Sequence, residues 1–142
     1  MEVRQVLEDA GWYPERKIEI DYMVEEYIKN GLNPPDHNLQ KLMEEYCNIR
    51  LYFTMPDGQE NDIRLNTDII SSVDNNGLQK FNEILEDTLV PIGSIYDDTA
   101  LLMGSYSGKF YMLSNKMFFI LGSNFYDSLD TIINQRDLYR VN

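Results

Sequence analysis

Val3, Val6, Leu7 and Ala10 recur at helical spacing, and Gly11 follows them as a stop. Ile20, Val24, Tyr27 and Ile28 repeat the pattern up to Gly31. Pro34-Pro35 then breaks the chain. Asp36 is placed to cap a third helix, whose apolar face is Leu39, Leu42, Met43, Tyr46 and Cys47. At Ile49 the period changes. Ile49, Leu51 and Phe53 alternate with Arg50, Tyr52 and Thr54, as on a strand with one buried face. Pro56-Asp57-Gly58 is turn chemistry, and Ile63 and Leu65 begin a partner strand. The pattern predicts a hairpin with a long acidic loop carrying Asp57, Glu60 and Asp62.

Asp74-Asn75-Asn76-Gly77 punctuates the chain, and Leu78, Phe81 and Leu85 mark a short helix. Residues 89–96, 99–103, 109–113 and 116–121 then read as a meander of strands. Turns of Asp, Ser, Gly or Asn separate them. A last helix begins after Ser123, with Phe125, Leu129, Ile132 and Ile133 on one face. The predicted class is α+β. N-terminal helices precede a mostly antiparallel sheet, a hairpin plus a meander, with a short intervening helix and a C-terminal helix. No repeat or low-complexity stretch divides the chain, so residues 1–142 read as a single domain.

Charge narrows the choice of partner. The chain has 24 acids, 12 bases and a net charge of -12. The first 48 residues, a third of the length, carry half of that excess. Such a surface repels nucleic acid and anionic lipid and attracts basic partners. With 43% hydrophobic residues the chain is too apolar for a disordered acidic tail. Cys47 is the sole cysteine, so no intramolecular disulfide forms and a reducing compartment fits. The charged start, Met1 to Gln5, lacks the apolar stretch of a signal peptide. The densest apolar run, Met117 to Leu121, is too short to cross a bilayer. A soluble cytoplasmic protein is expected, with no direct nucleic-acid or membrane partner.

The parts needed for catalysis are scarce. His37 is the only imidazole, and it reads as an exposed residue in the first turn of the third helix. Cys47 lies on an apolar helix face, which suits a buried thiol better than a nucleophile. Asp57, Glu60 and Asp62 are rich in oxygen, but their spacing does not match the twelve-residue calcium loop. No Cys/His cluster suits zinc. Gly104 to Lys109 is rich in Gly and Ser and ends in Lys, yet Phe110 follows where a P-loop needs Ser or Thr. No catalytic residue, metal or cofactor is expected. Trp12 can anchor an interface, but its place beside a helix-terminal glycine favours packing of the first helix against the sheet. Arg16 can pair with a carboxylate to fix the same loop.

One ordered set of motifs remains. Ala10-Gly11-Trp12-Tyr13-Pro14 with Arg16 follows the first helix. Val90-Pro91-Ile92-Gly93, Gly108-Lys109-Phe110-Tyr111 and Leu121-Gly122-Ser123 come later. In order and spacing the set resembles the SUKH superfamily of bacterial immunity proteins, in the subfamily with the Gly-Trp-x-Pro-x-Arg signature. The similarity runs from about Leu7 to Ile133. It implies a small α+β domain that stays in the producer's cytoplasm and neutralises a secreted toxin, commonly a nuclease. It also implies that Gly11, Trp12, Pro14, Arg16, Pro91, Gly93, Gly108, Tyr111 and Gly122 are structural positions. Two places depart from the family pattern. Glu15 stands where glycine is common, and Tyr46-Cys47-Asn48-Ile49 replaces a Phe-Gly-Gly-like element.

Acids and tyrosines on strand-connecting turns are the candidate contacts for such a partner. They are Asp57, Glu60 and Asp62 on one turn, Tyr96, Asp97 and Asp98 on a second, and Tyr106 on a third. Toxin nuclease grooves are lined with Lys and Arg, which acids would attract and desolvated aromatics would hold. The alternative is a non-catalytic scaffold or regulatory module of the same fold, binding another protein. The sequence carries no sign of a particular oligomeric state.

Overall fold

In the computed structural model, which describes residues 1–141, the alternation that begins at Ile49 opens a seven-stranded antiparallel sheet. Its strands are β1 (Ile49–Thr54), β2 (Glu60–Leu65), β3 (Leu89–Ile95), β4 (Ala100–Ser105), β5 (Phe110–Ser114), β6 (Met117–Gly122) and β7 (Tyr139–Arg140), side by side in chain order. Three helices precede the sheet: α1 (Val3–Asp9), α2 (Asp21–Lys29) and α3 (His37–Tyr46). α4 (Asn75–Leu85) separates β2 from β3, and α5 (Phe125–Ile133) lies between β6 and β7. The class is α+β, as the period change predicts. The 3-10 turn Ile70–Ser72 and the two-residue β7 carry no periodic pattern, and the sequence reading contains neither.

The helices divide unequally between the two faces of the sheet. β1 buries Ile49, Leu51 and Phe53 and exposes Arg50, Tyr52 and Thr54. On the buried face α3 lies close to β4, where a Cβ on Gly104 would come within 2.7 Å of Leu39. α5 lies close to β6, where a Cβ on Gly122 would meet Ser128 Oγ at 2.9 Å. Phe125 of α5 tilts against Phe110 and against Tyr46 of α3. α4 lies on the other face, with Phe81 against Phe118 at 4.2 Å between ring centres and Tyr111 edge-on to the same ring. α4 covers the β4–β6 side only. On the same face β1 leaves Arg50, Tyr52 and Thr54 exposed, while Asp62 of β2 and Ser94 of β3 are buried.

Helix faces follow the sequence with one correction. Asp36 caps α3 by accepting the Leu39 N–H at 2.9 Å. On α2, however, Met23 and Tyr27 are buried while Ile28 is 64% exposed. The buried stripe is narrow, Ile20, Met23 and Tyr27, and a step of one residue rotates Ile28 about 100° away from it.

The motifs after α1 and in β3 have local physical reasons. Gly11 adopts a φ of 102°, which needs a glycine. Trp12 packs on α3 and not on the sheet, stacked with Tyr46 and donating its indole N–H to Glu45 at 2.9 Å. Arg16 donates to the Glu45 main-chain carbonyl at 2.6 Å, so its anchor is a carbonyl and not a carboxylate. Pro14 lies in the turn between these two contacts. Pro91 sits inside β3, where a shift of register up to Gly93 accommodates a residue without an N–H. The Tyr27 hydroxyl donates to the Pro91 carbonyl. A Cβ on Gly93 would stand 2.2 Å from the Arg64 carbonyl oxygen, so no other residue fits there. Gly108 takes a φ of 90° in the β4–β5 turn.

Candidate partner-binding surface

Glu60 and Asp62 are strand residues, which corrects their placement on a loop. Glu60 pairs with Thr54 and Asp62 with Tyr52 in the β1–β2 register, so the connection is only residues 55–59. The polar run Gln59-Glu60-Asn61-Asp62 hides the strand, because its side chains do not alternate between apolar and polar.

Asp62 organises the open part of the sheet. Its side chain is 5% exposed. The carboxylate accepts from Arg50 Nε at 2.7 Å, Arg64 Nε at 3.1 Å and the Asp97 N–H at 2.8 Å. Burial on its own would raise the Asp62 pKa. The Asp97 amide and the two guanidinium groups outweigh burial and hold the carboxyl below its ordinary range. The Asp62 carbonyl also accepts the Tyr96 N–H at 3.0 Å. Two consecutive amides of the β3–β4 turn are thus held by one residue of β2.

That turn is unusual in its backbone. Tyr96, Asp97 and Asp98 have φ of 55°, 54° and 64°, three left-handed residues in succession. Aspartate tolerates this region better than most residues, and tyrosine does not. Arg64 closes the turn from the side, donating to Asp97 at 3.1 Å and to Asp98 at 2.9 Å. The Ser94 hydroxyl donates to the other Asp98 oxygen at 2.5 Å.

What faces water is a mixed acidic and aromatic patch. Tyr52 is 63% exposed, with the Arg50 guanidinium 4.8 Å from its ring centre. The Asp97 side chain is 81% exposed even though it meets Arg64. Asp57 and Glu60 are exposed on the same hairpin. A shallow depression of about 270 Å³ lies between Arg50, Tyr52, Glu60, Asn61, Asp62 and Asp97. Such a patch suits a cationic protein surface, with acids for attraction and Tyr52 for contact area. The sequence pattern places Tyr52 on a strand and does not single it out as a contact. A large aromatic at the solvent-facing position of an alternating strand is the signal that could have found it.

The structure brings some candidates together and separates others. The β1–β2 and β3–β4 turns share one end of the sheet and unite Asp57, Glu60, Asp62, Asp97 and Asp98. Tyr96 is half-buried and packs towards the core, with its hydroxyl accepting from Gln135 at 3.2 Å. Tyr106 lies on the β4–β5 turn at the opposite end, and its hydroxyl donates to the Pro34 carbonyl at 2.6 Å. His37 is exposed at the start of α3. Cys47 is buried, and burial pushes its thiol up to about 12. Among the described residues no group of three His, Cys, Asp or Glu side chains could hold a metal ion. None of their helices is long and apolar enough to cross a membrane.

Fold and surface together define a small α+β domain with a partly uncovered sheet, edged by acids and an exposed tyrosine. The family model described as SUKH-3 immunity protein matches residues 1–135, and the chain belongs to that family. No curated protein and no solved structure matches it.

Proposed function

We propose that this protein binds a cognate secreted bacterial toxin and neutralises it in the producing cell's cytoplasm. The toxin surface is basic, as in a nuclease, and the β1–β3 patch covers its active site or substrate groove. One observation carries this reading: Tyr52, Asp57, Glu60 and Asp97 converge on one uncovered end of the sheet in a chain of net charge -12. Membership of an immunity-protein family supplies the class of partner. Neutralisation is steric and electrostatic, so no residue of this chain performs a reaction.

Charge draws the toxin in and contact area slows its release. The patch is preorganised, because Asp62 and Arg64 fix the turn before any partner arrives. The test is co-expression with the C-terminal domain of the secreted protein encoded beside this gene. Cells carrying both survive, and the two chains purify as a complex at low salt. Equal killing with and without this chain, together with no complex, would refute the reading and leave a scaffold role in its place.

A further inference from the structure

The two edges of the sheet are treated differently. β7 forms one edge and is two residues long. β1 forms the other, with six residues paired to β2 in continuous register. Exposed edges are normally blunted by shortness, Pro, Lys, bulges or a covering segment. β7 is short. β1, Ile-Arg-Leu-Tyr-Phe-Thr, has no Pro, Lys or bulge, and its one charge, Arg50, is paired with Asp62.

The direction of the free groups can be read from two bonds. Met55 N–H donates inward to the Gln59 carbonyl across the hairpin, at 2.7 Å. Thr54 N–H instead donates outward, to Met1 Sδ at 3.2 Å. Backbone groups alternate along a strand, so the N–H and C=O of Arg50 and Tyr52 point outward with those of Thr54. Among the described residues nothing pairs with them on that side. A groove of about 330 Å³ lies alongside, lined by Met1, Tyr52, Phe53, Thr54 and Glu60.

We propose that this edge receives an extended basic segment of the partner as an eighth strand, an inference that rests on the toxin-binding reading above. Main-chain bonds to Arg50 and Tyr52 supply the docking, as in strand addition generally. Charge selects the occupant. Glu60 lines the groove, Asp57 stands on the hairpin at its end, and the chain as a whole is at -12. A second copy of this chain would bring two such charges together and is disfavoured.

Amide hydrogen exchange by NMR tests the proposal with two probes. One is the toxin domain named above, and the other is a synthetic peptide of alternating Lys and Val, compared with its Glu-Val counterpart. In the free protein the Arg50 and Tyr52 amides exchange fast, while those of Leu51 and Phe53 are slow. With either basic probe at a hundred times its Kd, the Arg50 and Tyr52 amides slow by about 100-fold. The Glu-Val peptide leaves them fast.

The proposal falls if the Lys-Val peptide gives no protection or both peptides protect equally. It also falls if the toxin domain binds while these amides stay fast. Protection in the free protein that grows with its own concentration would place a second copy on the edge and overturn the choice of occupant. If the toxin domain fails to bind, the toxin reading is lost, and the peptides still decide the edge. Tyr52→Pro removes an outward N–H and leaves the β2 ladder intact. It is expected to weaken toxin-domain binding by about fivefold more than Tyr52→Ala, as loss of one hydrogen bond requires. Equal losses would assign the contact to the side chain alone and overturn the proposal.

Discussion

The buried carboxylate of Asp62 accepts the main-chain N–H of Asp97 at 2.8 Å, tying the second strand of the sheet to a turn 35 residues further on. The same carboxylate is shared by the guanidinium groups of Arg50 and Arg64. One residue of β2 therefore ties β1 and the β3–β4 turn together at one end of the sheet.

This divides the acids into two kinds. Asp62→Asn removes the charge that two guanidinium groups share and is expected to cost about 2 kcal/mol of stability, in the range for hydrogen bonds to charged groups. Asp97 is equally acidic, but its side chain is 81% exposed. Asp97→Asn should stay within about 0.5 kcal/mol, as exposed pairs generally do. Urea denaturation of both variants checks this. Equal losses would mean that Asp62 has no special structural place.

The same pair sets a pH dependence. The Asp62 carboxyl is held below its unfolded value despite burial, by the Asp97 amide and the two arginines. Between the two values the unfolded chain binds more protons, so stability rises with pH there. The contribution is complete above the ordinary aspartate pKa of about 4 and is lost as pH falls through the folded value. Asp130, lowered by its hydrogen bond from Arg136, acts in the same direction. Urea midpoints measured from pH 6 down should therefore fall on acidification. The wild type and Asp62→Asn should converge at the acid end, with a residual slope from Asp130. Parallel curves would remove Asp62 from the account.

How much was legible depends on whether a pattern is local. The β1 alternation is plain, because one face is buried and the other is wet. The start of β2 is not, because Asp62 is buried among two arginines and a distant amide, and the hydrophobic signal begins only at Ile63 and Leu65. The three acidic or aromatic turns look alike in sequence. Strand direction decides which end each one occupies, and it sends Tyr106 away from the others. The Gly-Trp-x-Pro-x-Arg stretch is easy to find, but its anchor on Glu45 of α3 is a tertiary fact.

The two departures from the family pattern acquire a backbone meaning. Glu15 has a φ of 67° and Asn48 a φ of 63°, both left-handed. A glycine is common at the first of these positions in the proteins the sequence resembles, and glycine holds this conformation without a Cβ clash. Glu15→Gly is therefore expected to stabilise the protein by about 0.5–1 kcal/mol. Asn48→Gly should gain less, because asparagine tolerates this region and Asn48 donates to the Tyr22 hydroxyl at 2.7 Å. Urea midpoints of the two variants make the comparison. A loss of stability in Glu15→Gly would mean that the glutamate side chain has a role the geometry does not show.

The geometry also chooses which acids to reverse in testing attraction to a basic toxin. Asp62 and Asp98 hold Arg50, Arg64 and Ser94, so reversing them would damage the turn itself. Asp57, Glu60 and Asp97 face water at the same end of the sheet, and Asp97 gives up only an exposed contact with Arg64. The triple variant Asp57→Lys, Glu60→Lys, Asp97→Lys changes the local charge by six units and leaves the Asp62 carboxylate in place. Electrostatic steering separates fast association from the neutral rate by about a hundredfold or more at low salt. The variant should therefore bind the toxin domain at least about tenfold more slowly, with a flatter dependence of on-rate on ionic strength. Dissociation should change less, because Tyr52 and the main chain of β1 remain. Stopped-flow association at several salt concentrations measures both slopes. An unchanged on-rate in a correctly folded variant would reduce these three acids to solvation and move the contact elsewhere on the chain.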